Sequence, residues 1–317
     1  LAGAGLNRSD GWTRVVLEKP FGYDLESGRE LTRRLHEYFD EEQLFRIDHF
    51  LGKDTVQNLL ALRFANALFE NLWNARNVES VEITAAETIG VELRAPYYER
   101  VGVVRDMIQN HLTQVLSLVA MEPPAVLDEQ SIRDAKLNLL EAVVPPGPRD
   151  VVLGQYASGM IEGKQVSAYG EEEGVDPGSR TPTYAAVRVR IECERWAGVP
   201  FYVRTGKRLA MRHTHIAVRY RCPPATLFRA GGDTCGIMPN LLLITLQPDE
   251  GFDLRFHVKQ PGERFGLSSQ RLRFRYSDVF GPLPDAYETL LRDVMRGDRT
   301  HFVCDSEIER AWRLYDE

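Results

Sequence analysis

Three short segments combine basic, acidic and imidazole side chains in places where a fold could expose them. The first is Glu18-Lys19-Pro20-Phe21-Gly22, in which Lys19 follows a predicted strand and Pro20, a candidate for a cis peptide bond, fixes the backbone. Open α/β sheets place ligands at the carboxyl ends of their parallel strands. Lys19 is therefore a candidate ligand-binding residue, and the alternative is a surface lysine at a strand end.

The second segment runs from Arg46 to Lys53 and also follows a predicted strand. It leads into a helix N-terminus, where free N–H groups and the helix dipole favour an anion. His49 and Lys53 would suit a phosphate monoester, held by side chains because no glycine-rich phosphate loop is present. The alternative is that Asp48 caps the local backbone while His49 and Lys53 are solvated.

The third segment, residues 105–111, contains a candidate general base, His111. It lies on the apolar face of a predicted helix, where a histidine can instead be a core residue with one hydrogen bond. A base needs a carboxylate that orients it. Along an α-helix, Asp106 lies about 140° around the axis from His111, so we expect Asp48 to be the orienting residue.

A smaller basic cluster, Arg204-Thr205-Gly206-Lys207 with Arg212 beyond it, follows another predicted strand and adds positive charge. The alternative is a basic hairpin turn. The tryptophans Trp73, Trp196 and Trp312 are interpreted as core residues rather than as stacking partners of a cofactor.

The elements that position these segments change character along the chain. Strands over 13–20 and 44–48 flank a helix over Leu25–Phe39, with Asp24 or Ser27 as its cap, which is the β-α-β order of a parallel sheet. Helical patterns cover 54–73 and 102–121, and a strand covers 78–87. After the loop at 144–148 the hydrophobic period becomes two, which indicates an antiparallel sheet. Strands are predicted over 187–194, 201–204, 215–220, 241–247, 253–259 and 271–276, and helices over 285–296 and 306–314.

The predicted fold class is therefore α/β followed by α+β. Residues 1–47 are the tail of a Rossmann-type parallel sheet, and residues 48–317 form a large α+β domain with a mainly antiparallel sheet. One β-α-β unit takes about 30 residues, and a complete dinucleotide-binding domain needs several.

Composition excludes several classes of protein. The chain has 317 residues, a formal net charge of −7 and 43% hydrophobic residues, which argues against nucleic acid as the main partner and against a disordered chain. No apolar run approaches the ~18–20 residues of a membrane span, and no signal peptide is seen. The four cysteines form no CxxC pair, so neither a metal site nor a disulfide framework is indicated, and a reduced cytoplasmic setting is expected.

In this order, the motifs closely resemble the glucose-6-phosphate dehydrogenase family over nearly the whole chain. They are Glu18-Lys19-Pro20-Phe21-Gly22, Arg46-Ile47-Asp48-His49-Phe50-Leu51-Gly52-Lys53, Leu62-Arg63-Phe64-Ala65-Asn66, Arg105-Asp106-Met107-Ile108-Gln109-Asn110-His111-Leu112, Val152-Leu153-Gly154-Gln155-Tyr156, Glu194-Arg195-Trp196-Ala197-Gly198-Val199-Pro200-Phe201 and Leu283-Pro284-Asp285-Ala286-Tyr287-Glu288.

The resemblance implies oxidation of glucose 6-phosphate at C1 to the 6-phospho-lactone, with hydride passing to NADP. It implies that His111 is the general base, that Asp48 orients it, and that His49 and Lys53 bind the phosphate. It places Lys19 between cofactor and substrate, with Lys19 and Pro20 as cofactor contacts. Further positions that match the family's substrate-binding residues are Glu87, Asp106, Lys207, Arg212 and Gln247.

The sequence departs from the family at several points. The family begins with a complete nucleotide-binding domain, and Gly3-Ala4-Gly5 cannot be its glycine-rich fingerprint because it follows no strand. The chain is therefore expected to be a piece of a longer protein that binds substrate better than cofactor. Phe50 replaces a common tyrosine. Thr245 replaces an arginine that animal members carry for a second NADP, so that second site is not expected.

The family also implies a homodimer or homotetramer formed through the large sheet. Two other hypotheses remain open at this point. One is a related sugar dehydrogenase, of the glucose–fructose oxidoreductase type, that acts on a sugar without phosphate. The other is a substrate-binding or oligomerising fragment without turnover. Activity on free glucose but not on its 6-phosphate would favour the first.

Overall fold

The computed structural model describes residues 2–8, 10–223, 237–264 and 266–316. Its strands are β1 (Val15–Leu17), β2 (Leu44–Arg46), β3 (Val78–Ala86), β4 (Val143–Val144), β5 (Val151–Gly154), β6 (Gly159–Ile161), β7 (Lys164–Val166), β8 (Tyr184–Ile191), β9 (Phe201–Gly206), β10 (His213–Tyr220), β11 (Leu241–Gln247), β12 (Gly251–Lys259) and β13 (Leu267–Arg275). Its α-helices are α1 (Leu25–His36), α2 (Asp54–Phe64), α3 (Ala67–Glu70), α4 (Ala95–Val103), α5 (Thr113–Ala120), α6 (Glu129–Ala142), α7 (Tyr276–Val279), α8 (Ala286–Arg296) and α9 (Asp305–Tyr315), and a π-helix covers Val104–Leu112.

A large mixed sheet dominates the described part of the chain. Its strand order is β13-β12-β11-β10-β3-β9-β8-β4, with β5 also paired to β8. Every pairing in this sheet is antiparallel except that of β3 with β9. The predicted fold class is confirmed: a mainly antiparallel sheet with helices follows a short parallel pair.

That parallel pair is β1 and β2, joined by α1. Asp24 is the N-cap of α1, and its carboxylate accepts a hydrogen bond from the backbone N of Ser27 at 2.7 Å. The hydroxyl of Ser27 in turn accepts from the backbone N of Asp24, so both predicted capping residues take part in one capping box. The carboxyl ends of β1 and β2 consequently lie side by side.

A break in the backbone at Gly102 sets the start of the helical stretch that was predicted from residue 102. Gly102 has φ of 62°, a left-handed conformation that strongly favours glycine, and it breaks the path between α4 and the following helix. From Val104 to Leu112 the chain is a π-helix rather than the expected α-helix. It continues directly into α5 and packs against β9 and α9.

Buried donors fix the far end of this helix. The guanidinium of Arg63, which is fully buried, donates to the carbonyls of Leu118 and Met121. The indole N–H groups of Trp73 and Trp196 donate to Val119 and Ala120. These bonds satisfy carbonyls at the C-terminus of α5 that have no partner within the helix. The three tryptophans, Trp312 included, are buried as predicted.

Two expectations need correction. Helix α6 was not predicted from the sequence, although buried Ile132, Ala135 and Leu139 recur along it at helical spacing. The cysteine pattern indicated no disulfide framework and a reduced setting, yet Cys222 is disulfide-bonded, while Cys193 and Cys304 are free. One bridge needs only two Cα atoms about 4.4–6.8 Å apart, which no spacing rule detects. The remaining cysteine, Cys235, lies outside the described residues.

Within the described residues, no helix has both the length and the apolar character that crossing a bilayer requires.

Candidate active site

A cavity of about 230 Å³ lies where the parallel strand ends meet the π-helix and one end of the large sheet. Its walls come from all three parts of the fold. They are formed by Lys19, His49, Phe50, Ala85, Ala86, Glu87, Arg94, Asp106, Met107, His111, Lys207, Arg212, Thr214 and Gln247.

An imidazole–carboxylate pair lies at the base of this cavity. Nδ1 of His111 donates to Oδ1 of Asp48 at 2.6 Å, and both side chains are almost completely buried. The predicted contact between these two residues is therefore confirmed. Burial alone would raise the pKa of Asp48, but the hydrogen bond and charge of His111, together with the ammonium of Lys19, lower it. The carboxylate stays ionised, and it directs Nε2 of the ring away from itself.

The loop after β2 builds the wall beside this pair. Phe50 donates its backbone N–H to Oδ1 of Asp48 at 2.9 Å, and its ring stacks on the His111 ring with centroids 4.7 Å apart. The His49 ring meets the His111 ring edge-on at 4.4 Å, and the Lys53 ammonium lies 4.8 Å from the centre of the Phe50 ring. Phe50 thus packs flat against the imidazole and fixes the plane of the ring.

Close packing explains why this loop has a glycine. A Cβ on Gly52 would lie 2.6 Å from the carbonyl oxygen of Ala286 and 2.8 Å from the side chain of Leu290. Only a residue without a side chain lets the loop approach α8 this closely. The contact fixes the loop that carries His49 and Lys53.

The π-helix corrects one step of the sequence reasoning. In an α-helix Asp106 and His111 would diverge, but i→i+5 hydrogen bonding places residues five apart about one turn from each other. Both side chains accordingly line the same cavity. The ammonium of Lys19 donates to the backbone carbonyl of Asp106 at 2.8 Å and lies 3.8 Å from its carboxylate. Lys19 therefore ties the end of β1 to the helix that carries the imidazole.

Four polar residues from the large sheet form the opposite wall. Ala86 pairs with Gly206 across the parallel strands β3 and β9, so Glu87 and Lys207 leave the sheet together. His213 pairs with Ala86, and Thr214 pairs with Gln247, which brings the start of β10 and the end of β11 to the same point. Nζ of Lys207 is 2.8 Å from Glu87, and Arg212 donates to Gln247 at 2.7 Å.

The sequence-predicted site residues thus converge, with differences in detail. Lys53 and Pro20 do not line the cavity. Asp48 does not line it either, but it contacts the cavity residue His111 through a hydrogen bond. The peptide bond between Lys19 and Pro20 is cis, as suggested. Sequence reasoning missed Arg94 and Met107, which line the cavity. Arg94 ends a short 3-10 helix just before α4, and no spacing pattern marked it as a cavity residue.

The electrostatics favour an anion that also carries hydroxyl groups. Lysine and arginine side chains surround the cavity, while Glu87 and Asp106 offer carboxylate acceptors. Burial lowers the pKa of Lys19, partly offset by Asp106 and Asp48. Burial, reinforced by the charge of Arg212, lowers the pKa of Lys53 to about 8. Burial, reinforced by His111, lowers the pKa of His49 to about 4, so that ring is a neutral hydrogen-bonding group near pH 7.

Two family models match the chain. The model described as "Glucose-6-phosphate dehydrogenase, C-terminal domain" covers residues 60–317, and the one described as "Glucose-6-phosphate dehydrogenase, NAD binding domain" covers residues 1–58.

Curated relatives agree with these matches. A glucose-6-phosphate 1-dehydrogenase of Aggregatibacter actinomycetemcomitans is 48% identical over 316 residues, which are 98% of this chain and 63% of that protein. One of Treponema pallidum is 47% identical over 317 residues, covering 98% of this chain and 62% of the relative. The chain thus spans about three fifths of the length of these relatives.

Solved structures show the same likeness. A glucose-6-phosphate dehydrogenase in complex with its substrate glucose-6-phosphate superposes with a TM-score of 0.88 at 39% identity, over 95% of this chain and 61% of that one. A glucose-6-phosphate 1-dehydrogenase from Mycobacterium avium gives a TM-score of 0.83 at 37% identity, over 96% and 63% of the two chains.

Fold and site together define a class of protein in which the ends of a parallel strand pair face a basic cavity on a larger mixed sheet. A buried imidazole–carboxylate pair lies at the point where the strand pair meets the cavity. Within that class, the family is settled by the matches above. The chain belongs to the glucose-6-phosphate dehydrogenase family.

Proposed function

We propose that the protein containing this chain oxidises glucose 6-phosphate at C1 to the 6-phospho-lactone and passes the hydride to NADP. The observation that carries this proposal is the buried contact between Nδ1 of His111 and Asp48 at 2.6 Å, set beside basic residues in one small cavity. Family membership supports it.

In this proposal, Nε2 of His111 removes the proton of the C1 hydroxyl. Asp48 holds the ring in the tautomer that carries its proton on Nδ1, which leaves Nε2 as the acceptor, and it stabilises the imidazolium that forms. Loss of the hydroxyl proton raises the electron density on the oxygen and makes C1 a better hydride donor. Glu87, Asp106, Lys207, Arg212 and Gln247 would hold the sugar hydroxyls from the two facing walls.

The phosphate would bind to His49, which lines the cavity, and to Lys53, which lies just outside it on the same loop. Binding energy from this remote group fixes C1 against the base and is part of what accelerates the reaction. The loop after β2 carries His49, Lys53 and the carboxylate Asp48, so one segment would position the phosphate relative to the base.

Removing the phosphate-binding lysine tests this assignment. We expect Lys53→Thr to raise KM for glucose 6-phosphate at least about tenfold with a smaller change in kcat, because the charge contacts ground state and transition state alike. Lys259→Thr, at the exposed end of β12, is the control and should leave KM unchanged. An unchanged KM in Lys53→Thr would remove the lysine from the phosphate site.

The pH dependence of binding gives a second test. Lys53 binds phosphate in its protonated form, and its pKa is lowered to about 8, so affinity for glucose 6-phosphate should fall as pH rises through that value. Below about pH 6 affinity should also fall, because the ester becomes a monoanion. Calorimetric titration across this range measures both limbs. Lys53→Arg keeps its charge at high pH, so the fall in affinity above about pH 8 should disappear in this variant. If that fall persists, a group other than Lys53 causes it.

The nucleotide would enter from the carboxyl ends of β1 and β2, where open parallel sheets bind such ligands. Lys19 and Pro20 follow the first of these strands, and the largely buried side chain of Lys19 lines the cavity. These residues fit a nicotinamide placed between strand end and sugar. When bound, NADP supplies the hydride acceptor.

One experiment separates this proposal from its alternatives. Formation of reduced nicotinamide is followed by absorbance, with a polypeptide that joins this chain to a complete nucleotide-binding domain. We expect turnover with glucose 6-phosphate and a much lower kcat/KM with glucose. The reverse preference would indicate a sugar dehydrogenase without phosphate recognition. Binding without turnover would indicate a substrate-binding fragment.

We further propose that the protein is cytoplasmic and assembles as a homodimer or homotetramer through the large sheet. Exposed side chains on two separate strands of the sheet, Tyr202 on β9 and Leu272 on the edge strand β13, offer surface for such an interface. Sedimentation equilibrium measures the assembly, and a Leu272→Glu variant that sediments as the wild type would remove this strand from the interface.

A further inference from the structure

A second cluster of metal-binding atom types lies away from the cavity. It joins the last residue of α1, His36, to Glu41 in the 3-10 helix Glu41–Gln43 and to Asp305, the first residue of α9. One imidazole nitrogen and two carboxylate oxygens all lie within 4.8 Å of one another. Nε2 of His36 is 3.1 Å from Oε2 of Glu41 and 3.9 Å from Oδ2 of Asp305.

Each carboxylate is held in place through other contacts. Glu41 accepts a hydrogen bond at each of its oxygens from the guanidinium of Arg46, which is 2% exposed, and Nη2 of Arg299 lies 3.8 Å from Oε1. Oδ1 of Asp305 accepts from the backbone N of Ser306 at 2.6 Å and from its hydroxyl at 3.1 Å. The other oxygen, Oδ2, is the one that faces His36. Carboxylates that are fixed in this way are typical of metal ligands, whose hydrogen-bond partners orient them.

The distances suit a small divalent ion. Zinc binds imidazole nitrogen and carboxylate oxygen at about 2.0–2.2 Å in a tetrahedron, which sets its ligands roughly 3.3–3.5 Å apart. The two measured separations from Nε2 bracket that value, and the two carboxylate oxygens lie within 4.8 Å of each other. Side-chain rotations that bring the three atoms together would complete the geometry. His36, Glu41 and Asp305 are partly exposed, which leaves an entry path and a fourth position for water.

We propose that His36, Glu41 and Asp305 form a zinc site that links the end of α1 to the start of α9. The imidazole ligand favours Zn²⁺ over Mg²⁺ or Ca²⁺, which prefer oxygen ligands. The site uses no cysteine, which is why the cysteine spacing gave no sign of it. It lies outside the cavity of the proposed reaction and does not depend on that proposal.

Calorimetric titration of the chain with zinc chloride tests the site. The described residues contain one other such cluster, Asp48, His49 and His111, so the titration is run on the His111→Asn variant as well as on the wild type. We expect one zinc equivalent to remain in His111→Asn. In His36→Asn the zinc affinity should fall at least about 10-fold, because even the loss of a residue that only hydrogen-bonds a ligand costs about 10–100-fold in metal affinity. Zinc binding that survives His36→Asn but is lost in His111→Asn would overturn the proposal, as would the absence of binding in the wild type.

Two further variants keep the test independent of folding. Asp305→Asn retains an oxygen that can accept from Ser306 yet removes the charged ligand, and it should weaken zinc as His36→Asn does. Glu42→Gln removes a neighbouring exposed carboxylate and should leave zinc affinity unchanged. Zinc should raise the Tm of the wild type and of Glu42→Gln but not of Asp305→Asn. Equal effects on all three would show that zinc binds elsewhere.

Discussion

His111→Asn is expected to lower kcat for glucose 6-phosphate by about 10²–10⁴ while KM stays within a few-fold. Asparagine keeps a polar group of similar size, but it cannot accept the proton of the C1 hydroxyl. The proposed phosphate ligands, His49 and Lys53, are on the loop after β2 and not on the π-helix, so substrate binding should survive. Steady-state kinetics measures both parameters on a polypeptide with a complete nucleotide-binding domain.

His257→Asn is the matched control, since His257 lies on β12 and does not line the cavity. It should leave kcat unchanged. Near-normal turnover in His111→Asn would remove the imidazole from the role of base, and a large rise in KM with normal kcat would make it a binding residue only.

Asp48→Asn is expected to lower kcat by about 10³–10⁴, because an amide no longer selects the tautomer that leaves Nε2 free. The carboxylate also accepts from the backbone of Phe50 and lies near the ammonium of Lys19. The side chain keeps its shape in asparagine, so the loop should hold its position. Circular dichroism and calorimetric binding of glucose 6-phosphate check that the variant is folded and still binds.

A kcat within about tenfold of the wild type in Asp48→Asn would contradict a role in orienting the base, since loss of the orienting carboxylate in an imidazole dyad costs far more. An Asp48→Asn variant that no longer binds glucose 6-phosphate would assign the residue to the substrate pocket rather than to the base.

Local patterns predicted much of the fold. The N-cap residue Asp24, one of two predicted candidates, the short strands on either side of α1, and the period-two strands after the loop at 144–148 all came from rules that involve near neighbours in sequence. The order of strands in the large sheet could not come from such rules. That order is what brings Glu87, Lys207, Arg212 and Gln247 to one end of the sheet.

The helix that carries His111 shows where local rules mislead. On the assumption of an α-helix, we predicted that the side chains of Asp106 and His111 diverge and that Asp48 is the partner of His111. The partner is correct, but the direction predicted for Asp106 is wrong. The π-helix over Val104–Leu112 puts both in the cavity. Helices of this kind are rare and occur frequently at functional sites. Here the hydrogen bond to the Asp106 carbonyl comes from Lys19, which follows β1 and is 87 positions away in the sequence.

A crystal structure of this chain with glucose 6-phosphate bound tests the central claim most directly, because it needs neither cofactor nor turnover. The arrangement predicts the phosphate on His49 and Lys53, and the C1 hydroxyl about 2.6–3.2 Å from Nε2 of His111. A sugar bound the other way round, with its phosphate against the imidazole or outside the basic residues, would contradict the account.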